Sequence, residues 1–317
     1  MAGLRPRHRI PANVSFIAMP ACRFRLPVLG LLLFPVLVLL ASCASAAAGP
    51  SPASEHAGLR VMSFNVRYAS PGDGLNIWEN RRELTVDTIV GQAPDIIGMQ
   101  ELLLGQAKYL QSKLPHHAWF GKGRNGNEVD GGGNEHMGVF YDTRHLKLLE
   151  QGNFWYSETP DVPGSANFDG PMPRMTTWGH FEDLRNGKRF YLFNTHFPHT
   201  DEAEALRRRC AQLLLERIER IAGTAPVVLT GDFNSHPGSA AHRLLTTTLT
   251  DAWMAAPKPK GPASTFHGFT GTPETDARID WILLRHFGIH LVETVVDHRD
   301  ALYPSDHYPV VADLEWP

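Results

Sequence analysis

The chain has 317 residues, 43% of them hydrophobic and 20% charged, with 30 basic against 33 acidic side chains. That length suits one large α/β domain as well as two small ones. No Lys-rich tract is present and the densest basic cluster is Arg207-Arg208-Arg209, which weighs against a general polyanion binder.

The first residues are expected to form a leader. Residues 26–42, LPVLGLLLFPVLVLLAS, are uncharged and follow Arg23 and Arg25. The run is marginal for a bilayer span and carries two prolines, so it reads as a secretory signal. Met19 is an alternative start that gives this signal an ordinary length. Leu40-Ala41-Ser42-Cys43 resembles the lipobox of bacterial lipoproteins. The resemblance implies a signal peptide over 1–42, a lipidated Cys43, and a tether on the periplasmic side or the outer membrane. A plain cleaved signal or an uncleaved anchor is the alternative. The Pro/Ser-rich stretch 43–58 is expected to be a flexible linker, leaving a domain over 59–317. Removing the leader's five arginines leaves 25 basic residues against 33 acidic, a balance of −8. Past Cys43 only Cys210 remains, so no intrachain disulfide is expected. Cys210 shares an apolar helical face with Leu206, Leu213, Leu214 and Ile218 and reads as an inert core thiol.

Next comes a strand, LRVMSFNVRY (59–68), and then a helix over NIWENRRELTVDTIVGQ (76–92), which stops before Ala93-Pro94. DIIGMQE, HMGVFYD and LKLLEQGNFWYS follow as strands. MTTWGHFEDLRNGKRFYLFNTHFPH is a hairpin turning at Asn186-Gly187. A helix over about 201–222 precedes the strand of APVVLTGDFNSHPG. RIDWILL, IHLVETVVDH and HYPVVADLEW close the chain as strands. Hairpins mixed with crossovers predict mixed sheets with helices outside.

The polar residues gather at strand ends: Asn65 after SF, Gln100 and Glu101 after M, Asn194 and His196 in FNTH, Asp232 and Asn234 in GDFN, Asp280 in RID. Asp306 and His307 stand before the last strand. A sheet's rim holds reactive groups rigidly. Singly, each has a local explanation. Asp232 and Asn234 could close an Asx turn, Glu101 could cap the helix after it, His307 could be exposed, and Asp280 could pair with Arg278.

Taken in order, SFN, QE, NTH, GDFN, RIDWI and SDHYPV resemble the endonuclease/exonuclease/phosphatase superfamily over essentially all of 59–316. That group includes deoxyribonuclease I, abasic-site endonucleases, inositol polyphosphate 5-phosphatases and sphingomyelinases. The resemblance implies a four-layer α/β sandwich, two mixed sheets face to face with helices outside, and a site where the strand ends converge. It implies a hydrolase of phosphate esters, with Glu101 the chief metal ligand, Asn65 nearby and Asp306 an additional one. Oxygen donors suit Mg²⁺, with Mn²⁺ a substitute. Asp232 would orient or deprotonate the attacking water and Asn234 would hold a phosphate oxygen. His196 and His307 would contact the phosphate as cations, with Asp280 orienting His307. Asn194 would stand at the substrate.

Arg67 departs from the pattern, since abasic-site endonucleases carry an acid there. It could bind substrate phosphate directly. Arg124, Glu135, Arg174 and Trp178 lie in segments similar to an exported bacterial branch and are expected at the rim, Arg124 and Arg174 as substrate-binding residues, with core packing the alternative for Trp178. The sequence thus leads to a metal-dependent phosphoesterase, monomeric, acting on a small-molecule or lipid ester. A secreted nuclease on DNA or RNA and a non-catalytic binding scaffold are the alternatives.

Overall fold

Alternating side chains give each strand two faces, and most strands here are apolar on both, so each sheet must be covered twice. The computed structural model describes residues 58–317 apart from 132, 167, 169, 201, 202 and 276. The expected signal segment, Cys43 and the linker up to residue 57 lie outside the described residues.

In chain order the elements are β1 (Leu59–Asn65), a 3₁₀ turn (Gly74–Asn76), α1 (Trp78–Gln92), β2 (Ile96–Leu102), α2 (Leu104–Lys113), β3 (His117–Phe120), β4 (His136–Asp142) and β5 (Leu146–Trp155). Then come β6 (Met175–Asp183), β7 (Arg189–His196), α3 (Glu204–Ala222), β8 (Val227–Asp232), α4 (Ala240–Leu245), β9 (Thr250–Asp251), α5 (Ala252–Ala255), β10 (Asp280–Arg285), β11 (Gly288–Thr294) and β12 (Val310–Glu315). Two six-stranded sheets result, ordered β11-β12-β1-β2-β4-β3 and β5-β6-β7-β8-β10-β9. Each is mixed: β1–β2 and β7–β8 are parallel pairs among antiparallel neighbours. The parallel pairs need crossovers, which α1 and α3 supply.

Three apolar clusters define four layers. Met62, Phe64, Ile97 and Met99 face Val86, Ile89, Ala107 and Leu110 of α1 and α2. Phe193 and Leu229 face Cys210, Leu214 and Ile218 of α3 and Leu245 of α4. Val61, Ile96, Leu192, Val228, Ile282 and Ala312 meet between the sheets. The four-layer expectation holds. Cys210 sits in the α3 layer, where burial pushes its thiol up, as an inert core residue should be. Among the described residues no helix is long and apolar enough to cross a membrane.

The sheet interface changes character along its length. Beyond its apolar part lies a polar belt centred on Asn194, whose amide donates to Met99 O (2.8 Å) and Gly138 O (3.0 Å) of the opposite sheet. Its oxygen accepts from Gln100 Nε2 (2.6 Å) and Thr230 Oγ1 (3.2 Å). Gly98 makes room for this belt, because a Cβ there would stand 2.0 Å from Thr230 Oγ1 and 2.7 Å from Asn194 Oδ1. Gly98→Ala is therefore expected to destabilise by about 1–3 kcal/mol through overpacking. Gly91→Ala on α1, with nothing within 4 Å, should be neutral or slightly stabilising. Urea midpoints measure both, and equal effects would refute the tight belt.

Candidate active site

Register brings the polar ends together. His196 and Asp280 both pair with Asp232, so three strands of one sheet end in a single row. Asn65 pairs with Gln100 at the matching edge of the other sheet. Within each strand the site residue continues the inward-facing set: Asn194 and His196 follow Leu192, Thr230 and Asp232 follow Val228, and Asp280 precedes Ile282. Glu101 reaches the edge by another device. The pairing of β2 with β4 slips between Met99 and Leu102, and Glu101 adopts φ +58°, a left-handed conformation costly for a side chain of its kind. The bulge lets Gln100 point into the belt while its neighbour joins the site.

Asp232 is the hub. Its Oδ2 accepts from Asn65 Nδ2 (2.8 Å) and lies 3.4 Å from His196 Nε2 and 3.9 Å from His307 Nε2. Its Oδ1 accepts from the backbone N–H of Asn234 (2.9 Å). Burial and the neighbouring charge of Asp280 push its carboxyl up to about 7, against the pull of His307. His307 Nδ1 donates to Asp280 Oδ2 (2.8 Å), which also accepts from Thr265 Oγ1 (2.6 Å). Burial opposes charge on this imidazole, but Asp280, Asp232 and Asp306 outweigh it, so His307 titrates well above its ordinary range. His196 does the reverse: burial and the charges of Arg174, Arg124 and His307 push it well below.

A second group stands beside His196. Glu135 Oε2 accepts from Arg124 Nη1 (2.8 Å) and lies 3.9 Å from both Arg174 Nη1 and His196 Nδ1. Arg174 Nη2 donates to His199 Nδ1 (3.0 Å). Burial and the charge of Glu101 raise Glu135 to about 7, despite the two guanidinium groups.

Several expectations need correction. Arg67 is not free for a phosphate alone: it bonds Asp73 (2.9 and 3.1 Å) and lies 3.7 Å from Asp306 and 3.9 Å from Glu101. It is a half-buried cation among three acids. Asn65 turns its nitrogen, a donor, toward Asp232 and Glu101, while its oxygen accepts from Arg67 N–H (3.0 Å). Asn194 has both its amide hydrogens and its oxygen engaged in the belt and is closed to substrate. Asn234 donates one amide hydrogen to Phe197 O (3.0 Å), and its φ of +48° closes an Asx turn on Asp232, which is compatible with its second N–H meeting a phosphate oxygen. Trp178 packs on Tyr191 at the edge of the α3 core, three positions inside β6, and is no rim residue. His196 is neutral, not cationic, at neutral pH.

Other local explanations fail. Glu101 accepts from Asn65 (3.2 Å) and the Tyr68 N–H (3.2 Å) and does not cap α2, whose first turn is closed by Gln106. His307 is buried, and Arg278 pairs with Asp251. Residues unforeseen from sequence hold the site in place. Fully buried Arg81 donates to the carbonyls of Val66, Arg67, Asn76 and Pro304, tying the β1 exit to the segment before His307. Ser305 Oγ donates to Asn65 O (2.6 Å). Arg81 shares the inward helical face of Trp78, Thr85 and Ile89, which was the available signal for a buried cation.

Ligand atoms of Glu101, His196 and Asp232 lie within 4.8 Å of one another, as do those of Asp232, Asp280 and His307. Their carboxylates are hard oxygen donors that fit a dication, whose charge would relieve the burial and crowding that raise Asp232. Asp306 stands outside both groups, facing Arg67. Buried carboxylates, an imidazolium held by a carboxylate and two buried guanidinium groups at one sandwich edge define a hydrolase acting on phosphate esters. The chain belongs to the Endonuclease/Exonuclease/phosphatase family, whose profile matches residues 62–307. It is similar to an endonuclease/exonuclease/phosphatase from Bacteroides vulgatus (35% identity, TM-score 0.76, covering 82% of this chain and 99% of that one). It also resembles the Bacteroides thetaiotaomicron mannosyl-6-phosphatase Bt3783 (32% identity, TM-score 0.75, covering 82% and 100%). Protein L388 of Acanthamoeba polyphaga mimivirus is 30% identical over 195 residues, 56% of this chain and 67% of that protein.

Proposed function

We propose that this protein is a divalent-metal-dependent phosphoesterase using Mg²⁺ or Mn²⁺, in which an activated water attacks phosphorus in line, the bond from phosphorus to the ester oxygen breaks on the opposite side, and the alcohol leaves with a proton from solvent. The observation that carries this reading is the Asp232 carboxylate, buried, raised to about 7, and in reach of Asn65, His196 and His307. A base poised near the working pH accepts the water's proton as the attack proceeds. His307, kept charged by Asp280, stabilises the negative charge that grows on phosphate oxygens. Neutral His196 donates one hydrogen bond to them. Glu101 would hold the metal, which would neutralise phosphate oxygens and acidify water when bound. The acidic balance of −8 beyond the leader and the similarity to a mannosyl-6-phosphatase support a small-molecule or lipid ester over nucleic acid. The lipobox-like tetrad ending in Cys43 supports anchoring by lipid at a bacterial membrane, facing the periplasm or on the outer membrane.

Purified protein with Mg²⁺ or Mn²⁺ should release product from at least one class in a panel of sugar phosphates, lipid phosphates, phosphodiesters and nucleic acids, and EDTA should abolish it. Failure on every substrate would refute the reading. A rate that falls steeply with salt would mark a nuclease instead.

A further inference from the structure

The wall beside His196 carries more hydrogen-bond donors than its surroundings use. Arg174 precedes β6, and because Thr176 pairs with Thr195 it lies just past the level of His196, in line with Asp232 and Asp280. Its side chain is 3% exposed, yet its Nε and Nη1 have no hydrogen-bond partner. Its surroundings are otherwise specific: Nη2 is fixed on His199, and Glu135 is bound more closely by Arg124 (2.8 Å) than by Arg174 (3.9 Å). Glu101 and Asp232 are near enough for their charges to act on this guanidinium. Two guanidinium groups thus share Glu135, and the one bound more loosely is a buried side chain with two idle donors. Such an arrangement is costly unless an anion completes it.

We propose that Arg174, supported by Arg124 and Glu135, is a clamp for a second charged oxygen of the phosphate, so that this enzyme selects phosphomonoesters, which are dianions, over diesters. The inference rests on the phosphoesterase reading above and narrows it to a substrate class. A diester presents an esterified oxygen where the clamp expects a charged one. It then leaves the Arg174 donors desolvated and unpaired, and sites built around a hydrogen bond discriminate strongly against a ligand that lacks it. His196 and the carboxylate row serve either ester, so the selection falls on Arg174.

The test compares glucose 6-phosphate with bis(p-nitrophenyl) phosphate under Mg²⁺, and inorganic phosphate with dimethyl phosphate as stabilisers in thermal melts. The wild type should favour the monoester in kcat/KM by at least about tenfold, and Arg174→Lys should shrink that ratio by at least about tenfold. Inorganic phosphate should raise the melting temperature and dimethyl phosphate should not. Should Arg174→Lys fail to fold, Arg124→Ala replaces it, and the wild-type melts stand without any variant. A wild type that prefers the diester, equal losses on both esters in the variant, or equal protection by both anions would overturn the clamp and leave the phosphoesterase intact. Selective protection by phosphate without turnover of any ester in the wider panel would keep the clamp and remove the activity.

Discussion

Asp232→Asn is expected to lower kcat by about 10²- to 10⁴-fold, the usual range for removing a general base, without loss of the fold. The two consequences separate because the native carboxylate is itself under stress. Burial and the charge of Asp280 raise its pKa to about 7, so ionised Asp232 costs stability. The sign follows from linkage. Below about pH 4 the group is protonated in folded and unfolded chains alike and contributes no difference; the cost grows as pH rises and is complete above about 7. In EDTA the variant should melt with the wild type at pH 4 and at or above it at pH 8, although Asn65 must adjust to an amide in place of an oxygen acceptor. A variant that melts much lower at pH 8, with activity lost in proportion, would make Asp232 a structural residue.

His307→Ala should cost a comparable factor, about 10²-fold or more in kcat/KM, because it removes the charge that meets the phosphate oxygens. Asp280 acts through it. The 2.8 Å bond from His307 Nδ1 to Asp280 Oδ2 holds the ring and keeps it charged above neutrality. Asp280→Asn removes the largest opposing charge, so the imidazole should deprotonate at lower pH and the alkaline limb of the pH–rate profile should move down. Adding Asp280→Asn to His307→Ala should then cost little more, since groups acting as one unit are not additive. Fully additive losses, or an unmoved alkaline limb, would dissolve the pair.

Much of the molecule was legible because local pattern and chemistry agreed. The strand HMGVFYD matches β4 residue for residue, and the turn at Asn186-Gly187 closes the β6–β7 hairpin as read. Less was legible where the pattern was weak. β3 (HAWF) is half-buried throughout and carries no alternation, and β9 has two residues. IHLVETVVDH gives a strand only to Thr294 because pairing with β12 ends there. In the site, the strand-end acids and histidines stood out by type and order, but Asn194 stood out equally and belongs to the belt. One strand period separates it from His196, and only depth within the sandwich distinguishes them.

By itself the sequence determined most of the two-faced strands, the long helices α1 and α3 that cover them, and the acids and imidazoles at their ends. Those depend on neighbours a few positions away, and so does the reaction class that their types imply. Tertiary structure alone decided which way the Asn65 amide turns, that Arg67 answers three acids, and that Arg174 keeps idle donors in a dry wall. It also decided that His196 is neutral while His307 is charged. Protonation and pairing are set by burial and by charges a few ångströms off in space but tens to hundreds of residues away along the chain, and no local pattern encodes those distances.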